Sequence, residues 1–410
     1  MQQKIFYKRK NLQKLNSYSS SKSVLFKFHF YFFKIIGLAP WKVDTNEIFY
    51  PRTYNYSQIN PHGVSKFGIM YNVFLIITMI AYIAFGIALG LWDLDYANSV
   101  IVMMIDTILM STGLVALLIM WLIYILQQSK IVNILNNLYT THKRLKKCRR
   151  YKLEIDFSLY IITFVNVVMC FTVLILETFT TMNYTTILWA APFIMGSSVL
   201  MQYAILLNFI IQILKSINKT IFKLGSIDTE DKSETLFFTK VLIEESIIED
   251  INILNYSHLK LSEICSKISN FYAFPTLLTI IYFVTMTTYD LYYIIISLIT
   301  DSNQFLLMLC INCGTWCLAV LTDFAVLTTS ITRITREFND TSHCILLLFN
   351  QCKMDSNTKN ALAEFLNSLL HHHLEFTTYG VIDLNGFLLQ NIFGTVVTYL
   401  IIFIQFRPLH

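Results

Sequence analysis

The sequence predicts an all-α membrane protein with seven transmembrane helices, and three observations support that fold class. First, 55% of the 410 residues are hydrophobic and only 14% are charged, which is far from the balance of a soluble domain. Second, long apolar stretches without any Lys or Arg recur along the chain. Third, the basic residues are confined almost entirely to the segments on one side of those stretches.

Seven apolar stretches divide the chain into membrane and aqueous segments. Each reaches the roughly 20 residues that a spanning helix requires. They lie at 67–92, 100–126, 158–182, 187–214, 273–300, 305–332 and 387–406. We therefore predict a cytoplasmic N-terminal segment at 1–66, spans one to four within 67–214, a cytoplasmic helical segment at 215–272, spans five and six within 273–332, cytoplasmic anchor helices within 333–386, and the last span with a short tail at 387–410.

The basic residues predict how the chain is oriented in the membrane. In the short loop 127–157, eight Lys and Arg residues accompany two acidic residues, and short loops are where the positive-inside rule is strongest. This loop is therefore predicted to be cytoplasmic, with the N-terminus inside the cell and the C-terminus outside. Of the 31 Lys and Arg residues, only Arg407 then lies on the outer side. We expect a multi-pass protein of the plasma membrane, inverted relative to a G-protein-coupled receptor.

Several short motifs do not predict a chemical site. The chain has no P-loop, Gly-rich dinucleotide turn or nucleophile elbow, so we expect no enzymatic activity, no cofactor and no nucleic-acid partner. Three cysteines of the sixth stretch and a histidine run are expected to serve helix packing and a helix end rather than metal binding. These residues are Cys310, Cys313, Cys317 and His371, His372, His373. The sequon at Asn183 lies in a short outer turn, and the sequence leaves its glycosylation open.

Apolar stripes in the two long cytoplasmic segments predict packed helices. One stripe repeats at alternating steps of four and three residues, which is the spacing of one helix face. It consists of Ile247, Ile251, Leu254, His258, Leu261, Cys265 and Ile268, and a second consists of Leu362, Phe365, Leu366, Leu369 and His373. We interpret them as a cytoplasmic anchor layer, with two separate helices on the membrane surface as the alternative.

A polar stripe marks the last span. Its members follow one another at steps of four, three, four and three residues and therefore share one helix face. They are Asn391, Thr395, Thr398, Ile402 and Gln405. Such a stripe requires water or a polar partner in the membrane. It could line a pore between symmetric copies of the chain, with Ile402 as a hydrophobic constriction, or it could form hydrogen bonds within one subunit.

The end of this span resembles the C-terminal signature of insect gustatory receptors. The segment Thr398–Phe406 has the Thr-Tyr pair, five hydrophobic residues and Gln-Phe of that signature. Upstream, Glu375–Gly380 with Asp383 is similar to the family's approach to its last helix, and Gly37–Pro40 is similar to its N-terminal segment.

The resemblance implies a homotetramer in the lipid bilayer, with the last helix lining a central cation pore and a small-molecule tastant entering from outside. Leu400 stands where one branch of sugar receptors has Glu. The chain therefore looks more like the fructose-receptor type or a bitter receptor. The main alternative to a gustatory receptor is an odorant receptor of the same superfamily. Because the stripe carries no ring of charges, we expect a tastant-gated channel that is non-selective among cations.

Polar residues at one depth predict a ligand pocket. Asp106, Glu177, Asp290 and Asn312 lie roughly 9–18 Å below the predicted outer surface, from about 1.5 Å of rise per residue. Intramembrane carboxylates usually face a wet cavity or polar partners, and the spans offer no Lys or Arg to neutralise these. The alternative is that these acids are protonated and hydrogen-bonded between helices. Asp323 lies in the inner half of its span and is interpreted as structural or pathway-lining.

Aromatic side chains surround that depth and suit a polar organic ligand. Flat rings beside hydrogen-bond acceptors can bind polyols or organic cations, so sugars and alkaloids are both compatible with the pocket. The residues predicted to bind the ligand are Asp106, Glu177, Trp189, Asp290, Tyr293, Asn312 and Trp316, with Tyr289, Tyr292 and Thr315 nearby.

Overall fold

The structure is a computed structural model that describes most of the chain. The described residues are Phe28 and 30–44, 60–88, 100–153, 158–181, 186–225, 236–299, 306–351, 354–370 and 374–405. They form α1 (Lys66–Ala88), α2 (Val100–Leu126), α3 (Gln128–Leu145), α4 (Ser158–Thr181), α5 (Thr186–Gly225), α6 (Leu236–Ile299), α7 (Leu306–Gln351), α8 (Ser356–Leu370) and α9 (Leu388–Gln405).

Two short antiparallel hairpins accompany the helices. The first pairs β1 (Lys42–Val43) with β2 (His62–Gly63), and the second pairs β3 (Thr377–Thr378) with β4 (Ile382–Asp383). The second hairpin stands directly before α9, so it fixes where the last helix begins.

The predicted fold class is confirmed. Helices α1, α2, α4, α5, α6, α7 and α9 coincide with the seven apolar stretches of the sequence. Within the described residues, six are long and apolar enough to cross a membrane, whereas the apolar portion of α4, Phe164–Phe179, is shorter. The direction in which the chain crosses the membrane stays a prediction.

Three of the spanning helices are much longer than a bilayer is thick. Helices α5, α6 and α7 contain 40, 64 and 46 residues. At 1.5 Å per residue, even the shortest is about 60 Å long, roughly twice the hydrocarbon thickness. The apolar stripe of α6 is buried along this extension, from Ile251 to Ile268, and α8 packs against α6 with Leu362 and Phe365 buried. These contacts favour the packed anchor layer over two separate surface helices.

The described residues belong to two compact units. In the first, the segment Gly37–Pro40 is held by side chains of neighbouring helices. Asn72 donates to the carbonyl oxygen of Gly37 at 2.8 Å, and Gln128 donates to that of Pro40 at 2.6 Å. Gly37 has a φ of 91°, and a Cβ there would lie 2.8 Å from Nε1 of Trp121. Its backbone conformation and the lack of space therefore both require glycine.

The second unit contains 104–117 and the chain from Asn133 onward, and α5 is its central helix. Residues of α5 are buried on every side from Leu188 to Ile221. Helix α7 packs along α5, and α4 and α6 also contact it. The candidate pocket and α9 both lie in this unit.

Candidate ligand pocket and pore helix

The C-terminal part of α4 and the N-terminal part of α7 bring two predicted pocket residues into direct contact. Asn312 donates a hydrogen bond to Oε2 of Glu177 at 2.9 Å, and the side chain of Trp316 also hydrogen-bonds Glu177. Glu177 and Asn312 are each 7% exposed, and Trp316 is 1% exposed. The carboxylate therefore has polar partners on a neighbouring helix, as one of the two sequence interpretations expects.

Asp290 on α6 belongs to the same polar cluster. It is buried, and Glu177 is close enough to interact with it electrostatically. Tyr282 and Cys313 also interact electrostatically with this carboxyl group. The structure thus gathers Glu177, Asp290 and Asn312 from three helices.

The aromatic residues form a continuous stack beside this cluster. Trp189 and Tyr289 are stacked with ring centroids 6.4 Å apart and an interplanar angle of 11°, and Tyr289 stacks on Tyr293 at 6.0 Å. The Trp316 ring meets Phe193 edge-on at 4.5 Å. Two predicted ligand residues, Trp189 and Tyr293, therefore flank Tyr289, which the sequence marked only as a neighbour.

Some predicted residues cannot be assigned to the site. The side chain of Asp106 lies outside the described residues, as do Asn183 and the histidine run at 371–373. Cys310, Cys313 and Cys317 are free cysteines. No group of three or more His, Cys, Asp or Glu side chains in the described portion of the chain could hold a metal ion.

Helix α9 contacts its own subunit through one apolar face. Leu388, Ile392 and Val396 are buried there. The five residues of the polar stripe, from Asn391 to Gln405, are all exposed in the single subunit. Thr395 and Thr398 donate their hydroxyl groups at 2.8 Å to the carbonyl oxygens of Asn391 and Gly394 in the same helix. These hydroxyls are therefore satisfied within α9 and leave its polar face available to water or another subunit.

A groove runs between α6, α9 and the β3–β4 hairpin, next to residues 108–112 of α2. Its volume is about 970 Å³. Asn391, Thr395, Tyr399 and Phe403 line it from α9. Only part of the polar stripe therefore faces the groove. Asn391 and Thr395 line it, whereas Thr398, Ile402 and Gln405 do not.

The α6 side of this groove escaped prediction from the sequence. Thr285, Thr288 and Tyr289 line it. Their spacing of three and four residues places them on one helix face, which is the signal that could have revealed the groove. Tyr289 also belongs to the aromatic stack, but none of the predicted ligand residues whose side chains the structure describes lines the groove.

A second aromatic contact joins the pocket helix to the last helix. Tyr292 of α6 and Phe403 of α9 have ring centroids 5.8 Å apart. Tyr292 lies between Asp290 and Tyr293 in sequence. A displacement of this region of α6 would therefore also displace Phe403 of α9.

The β3–β4 hairpin sets the start of α9. Tyr379 and Gly380 have positive φ angles of 54° and 71°, and the backbone N–H of Gly380 donates to Thr377 Oγ1 at 3.1 Å. Asn385 Oδ1 accepts from the backbone N–H of Phe387 at 3.0 Å, just ahead of the helix. The segment Glu375–Gly380 with Asp383 therefore forms the turn that delivers the chain into α9.

Comparison with known proteins identifies the family. The model of the family described as "7tm Chemosensory receptor" matches residues 26–410. Gustatory receptor 68a of Drosophila melanogaster is 30% identical over 94 residues, which cover 23% of this chain and 23% of that receptor. The solved structure of the insect olfactory receptor OR5 from Machilis hrabei is similar with a TM-score of 0.59 and 13% identity, covering 95% of this chain and 100% of that one.

The low identity to the olfactory receptor makes that match informative about the fold alone. The family match covers nearly the whole chain and agrees with the signature at the end of α9. The predicted resemblance to insect gustatory receptors is confirmed by these matches. The chain is a multi-pass membrane protein that belongs to the 7tm chemosensory receptor family.

Proposed function

We propose that this receptor is a tastant-gated, non-selective cation channel of the plasma membrane, built from four copies of the chain. The observation that supports this most is the polar face of α9, which is exposed in a single subunit although the helix lies in the membrane. Asn391 and Gln405 on this face carry amide groups, which in hydrocarbon require water or polar partners. Four such faces around one axis would supply both, since they would enclose a water-filled path.

The ligand class that fits best is a sugar such as fructose. The hydroxyl groups of a sugar both donate and accept hydrogen bonds, so they can replace the bond between Asn312 and Glu177 on both sides. The stack of Trp189, Tyr289 and Tyr293 offers flat faces to the apolar side of a sugar ring. An organic cation of a bitter compound would instead pair with Glu177 or Asp290 and lie against the same rings.

Gating would pass through α6. Asp290 and Tyr293 meet the ligand on one side of this helix, and Tyr292 contacts Phe403 of α9 on another. A ligand that shifts α6 would therefore shift α9 and with it the constriction at Ile402. Gln405, about one turn nearer the outside, offers neutral oxygen ligands to passing cations. The predicted orientation and segment boundaries belong to this proposal.

Current recording after expression of the chain alone tests the proposed function. We expect fructose or a related sugar to evoke an inward cation current in cells that express the chain and none in cells that do not. Bitter alkaloids and volatile odorants belong in the same panel, because a response restricted to either would reassign the ligand class. Surface expression without current for any ligand would contradict a channel formed by this chain alone.

A further inference from the structure

A second polar cluster lies apart from the candidate pocket, in the inner half of the membrane. It joins Asn166 of α4, Ser197 of α5 and Asp323 of α7. Their exposed fractions are 3%, 1% and 4%. Asp323 is nine residues from the predicted inner end of its span, or about 13 Å at 1.5 Å per residue.

Hydrogen bonds hold the three side chains in a fixed arrangement. The amide nitrogen of Asn166 donates to Ser197 Oγ at 2.7 Å and to Asp323 Oδ1 at 3.1 Å. Ser197 also hydrogen-bonds Asp323, and the thiol of Cys170 lies 3.8 Å from Ser197 Oγ. Both donor positions of the Asn166 amide are therefore used.

Two buried oxygen atoms of this cluster have no hydrogen-bond partner among the described residues. They are Oδ2 of Asp323 and Oδ1 of Asn166. The two oxygens belong to side chains that the 3.1 Å bond joins, so both lie in the same cluster. Buried polar atoms in native proteins usually have a partner, and an unpaired carboxylate oxygen is among the most costly to leave without one.

The protein supplies no positive charge to this carboxylate. None of the seven apolar stretches contains Lys or Arg, and the salt bridges found among the described residues do not involve Asp323. An ionised carboxylate at this depth would be strongly disfavoured without a countercharge. Water could satisfy its hydrogen bonds but could not neutralise it, whereas a metal cation or a proton could.

We propose that Asp323 and Asn166 form a binding site for a monovalent metal cation, of which sodium is the physiological candidate. Oδ2 of Asp323 supplies the negative ligand and Oδ1 of Asn166 a neutral one, and water completes the coordination. Carboxylate and amide oxygens are the ligand types that hard cations prefer. The ion would link α4 to α7 where Ser197 already joins both to α5. This site is independent of the proposed pore and of its ligand.

Thermal unfolding of the purified full-length chain in detergent tests the site. The midpoint is measured in sodium chloride and in choline chloride at equal ionic strength, for the wild type and for Asp323→Asn. Ligand binding to the folded state alone raises the midpoint in a concentration-dependent way. We expect sodium to raise the wild-type midpoint by about 2–4 °C, with saturation, and to leave Asp323→Asn unchanged.

Two outcomes would overturn the proposal. One is a midpoint that does not respond to sodium, or that responds equally in Asp323→Asn. The other is a wild type that is stabilised by acid instead of sodium, because a proton would then neutralise Asp323. Should Asp323→Asn fail to fold, Asn166→Ala keeps the carboxylate and removes one ligand, and the sodium concentration at half-effect should rise at least about tenfold. An unchanged half-effect concentration in that variant would equally contradict the site.

Discussion

Helices α5 and α9 are both apolar spans with scattered polar residues. They differ in how much of the helix is buried and in where the polar side chains form hydrogen bonds. In the most apolar 18-residue stretch of α5, 78% of the residues are buried in the subunit, compared with 17% in α9. Some polar side chains of α5 bond to other helices of the subunit, as Asn208 does to Ser330 at 2.7 Å, while Ser216 and Thr220 bond to the backbone of α5 itself. The threonines of α9 bond to their own helix and leave the polar face outward. Polar residues in a span can therefore serve either the fold or the assembly, and burial distinguishes the two.

The largest expected difference between the two helices is the stability lost when a phenylalanine of each is replaced by alanine. Phe193 of α5 is fully buried against Phe283 and Trp316, whereas Phe393 of α9 is 69% exposed. Phe193→Ala should destabilise the subunit by about 3–5 kcal/mol because it leaves a cavity, whereas Phe393→Ala should cost less than about 0.5 kcal/mol. Chemical or thermal unfolding in detergent measures both, and equal losses would mean that the contrast in burial is wrong.

Substitution of a polar residue should also cost more stability in α5 than in α9. The difference should be smaller than for the two phenylalanines. Asn208→Ala removes the donor to the buried hydroxyl of Ser330, which keeps its own bond to the carbonyl oxygen of Val326, and should cost about 0.5–1.5 kcal/mol. Thr395→Val on α9 removes only a bond to the helix backbone and should leave unfolding nearly unchanged. If Thr395→Val destabilised the isolated subunit as much as Asn208→Ala did, the polar face of α9 would belong to the subunit fold.

In the candidate pocket, substitution should change ligand potency more than folding. Asn312→Ala removes the donor to Glu177, so we expect the half-maximal ligand concentration to change at least about tenfold, with surface expression retained. Asp290→Asn and Trp316→Phe should act in the same way. Thr332→Val is a matched control on the same helix, because the Thr332 hydroxyl bonds to the backbone of Thr328 far from the predicted pocket. Unchanged dose–response curves for all three pocket variants would remove the ligand from this position.

The smallest effect on stability is expected at His142 of α3, in the segment that the sequence predicts to be cytoplasmic. Burial, assisted by the nearby charge of Lys146, lowers the pKa of this imidazole from 6.5 to about 4. The folded protein therefore holds it neutral, and stability falls as the pH drops from about 6.5 towards 4 because the unfolded chain then binds the proton more readily. At pH 5.5 the loss should be about 1 kcal/mol.

His142→Gln provides the control for this pH effect. The variant should lose that component of the acid sensitivity, as measured by unfolding midpoints between pH 7.5 and 5. An identical pH profile in wild type and variant would show that His142 does not titrate in this range.

Much of the fold could be predicted from the sequence, because membrane-spanning helices depend on length and composition. The absence of Lys and Arg from seven stretches located the spans, whereas the role of the polar stripe in α9 stays a prediction. The stripe of α6 from Ile251 to Ile268 likewise predicted packing, since one buried helix face has a fixed period. These features are local along the chain.

Features that depend on which helices are neighbours could not be predicted. Nothing in the sequence says that Asn312 reaches Glu177, 135 positions away, or that Tyr289 stacks between Trp189 and Tyr293. The groove beside α9 combines side chains of three helices and a hairpin, so no single segment reveals it. A common depth in the membrane narrows the candidates, but the rotation of each helix about its axis decides which of them meet.

Cysteine accessibility along α9 tests the central claim most directly. Single cysteines are introduced one at a time from 391 to 405 and exposed to a charged, water-soluble thiol reagent during current recording, in a background whose native cysteines have been shown to be unreactive. We predict that modification blocks current with the spacing of Asn391, Thr395, Thr398, Ile402 and Gln405, and that substitution at Ile404 mainly reduces assembly. Block that is uniform along the helix, or that peaks at the buried positions 392 and 396, would contradict a pore lined by the polar face of α9.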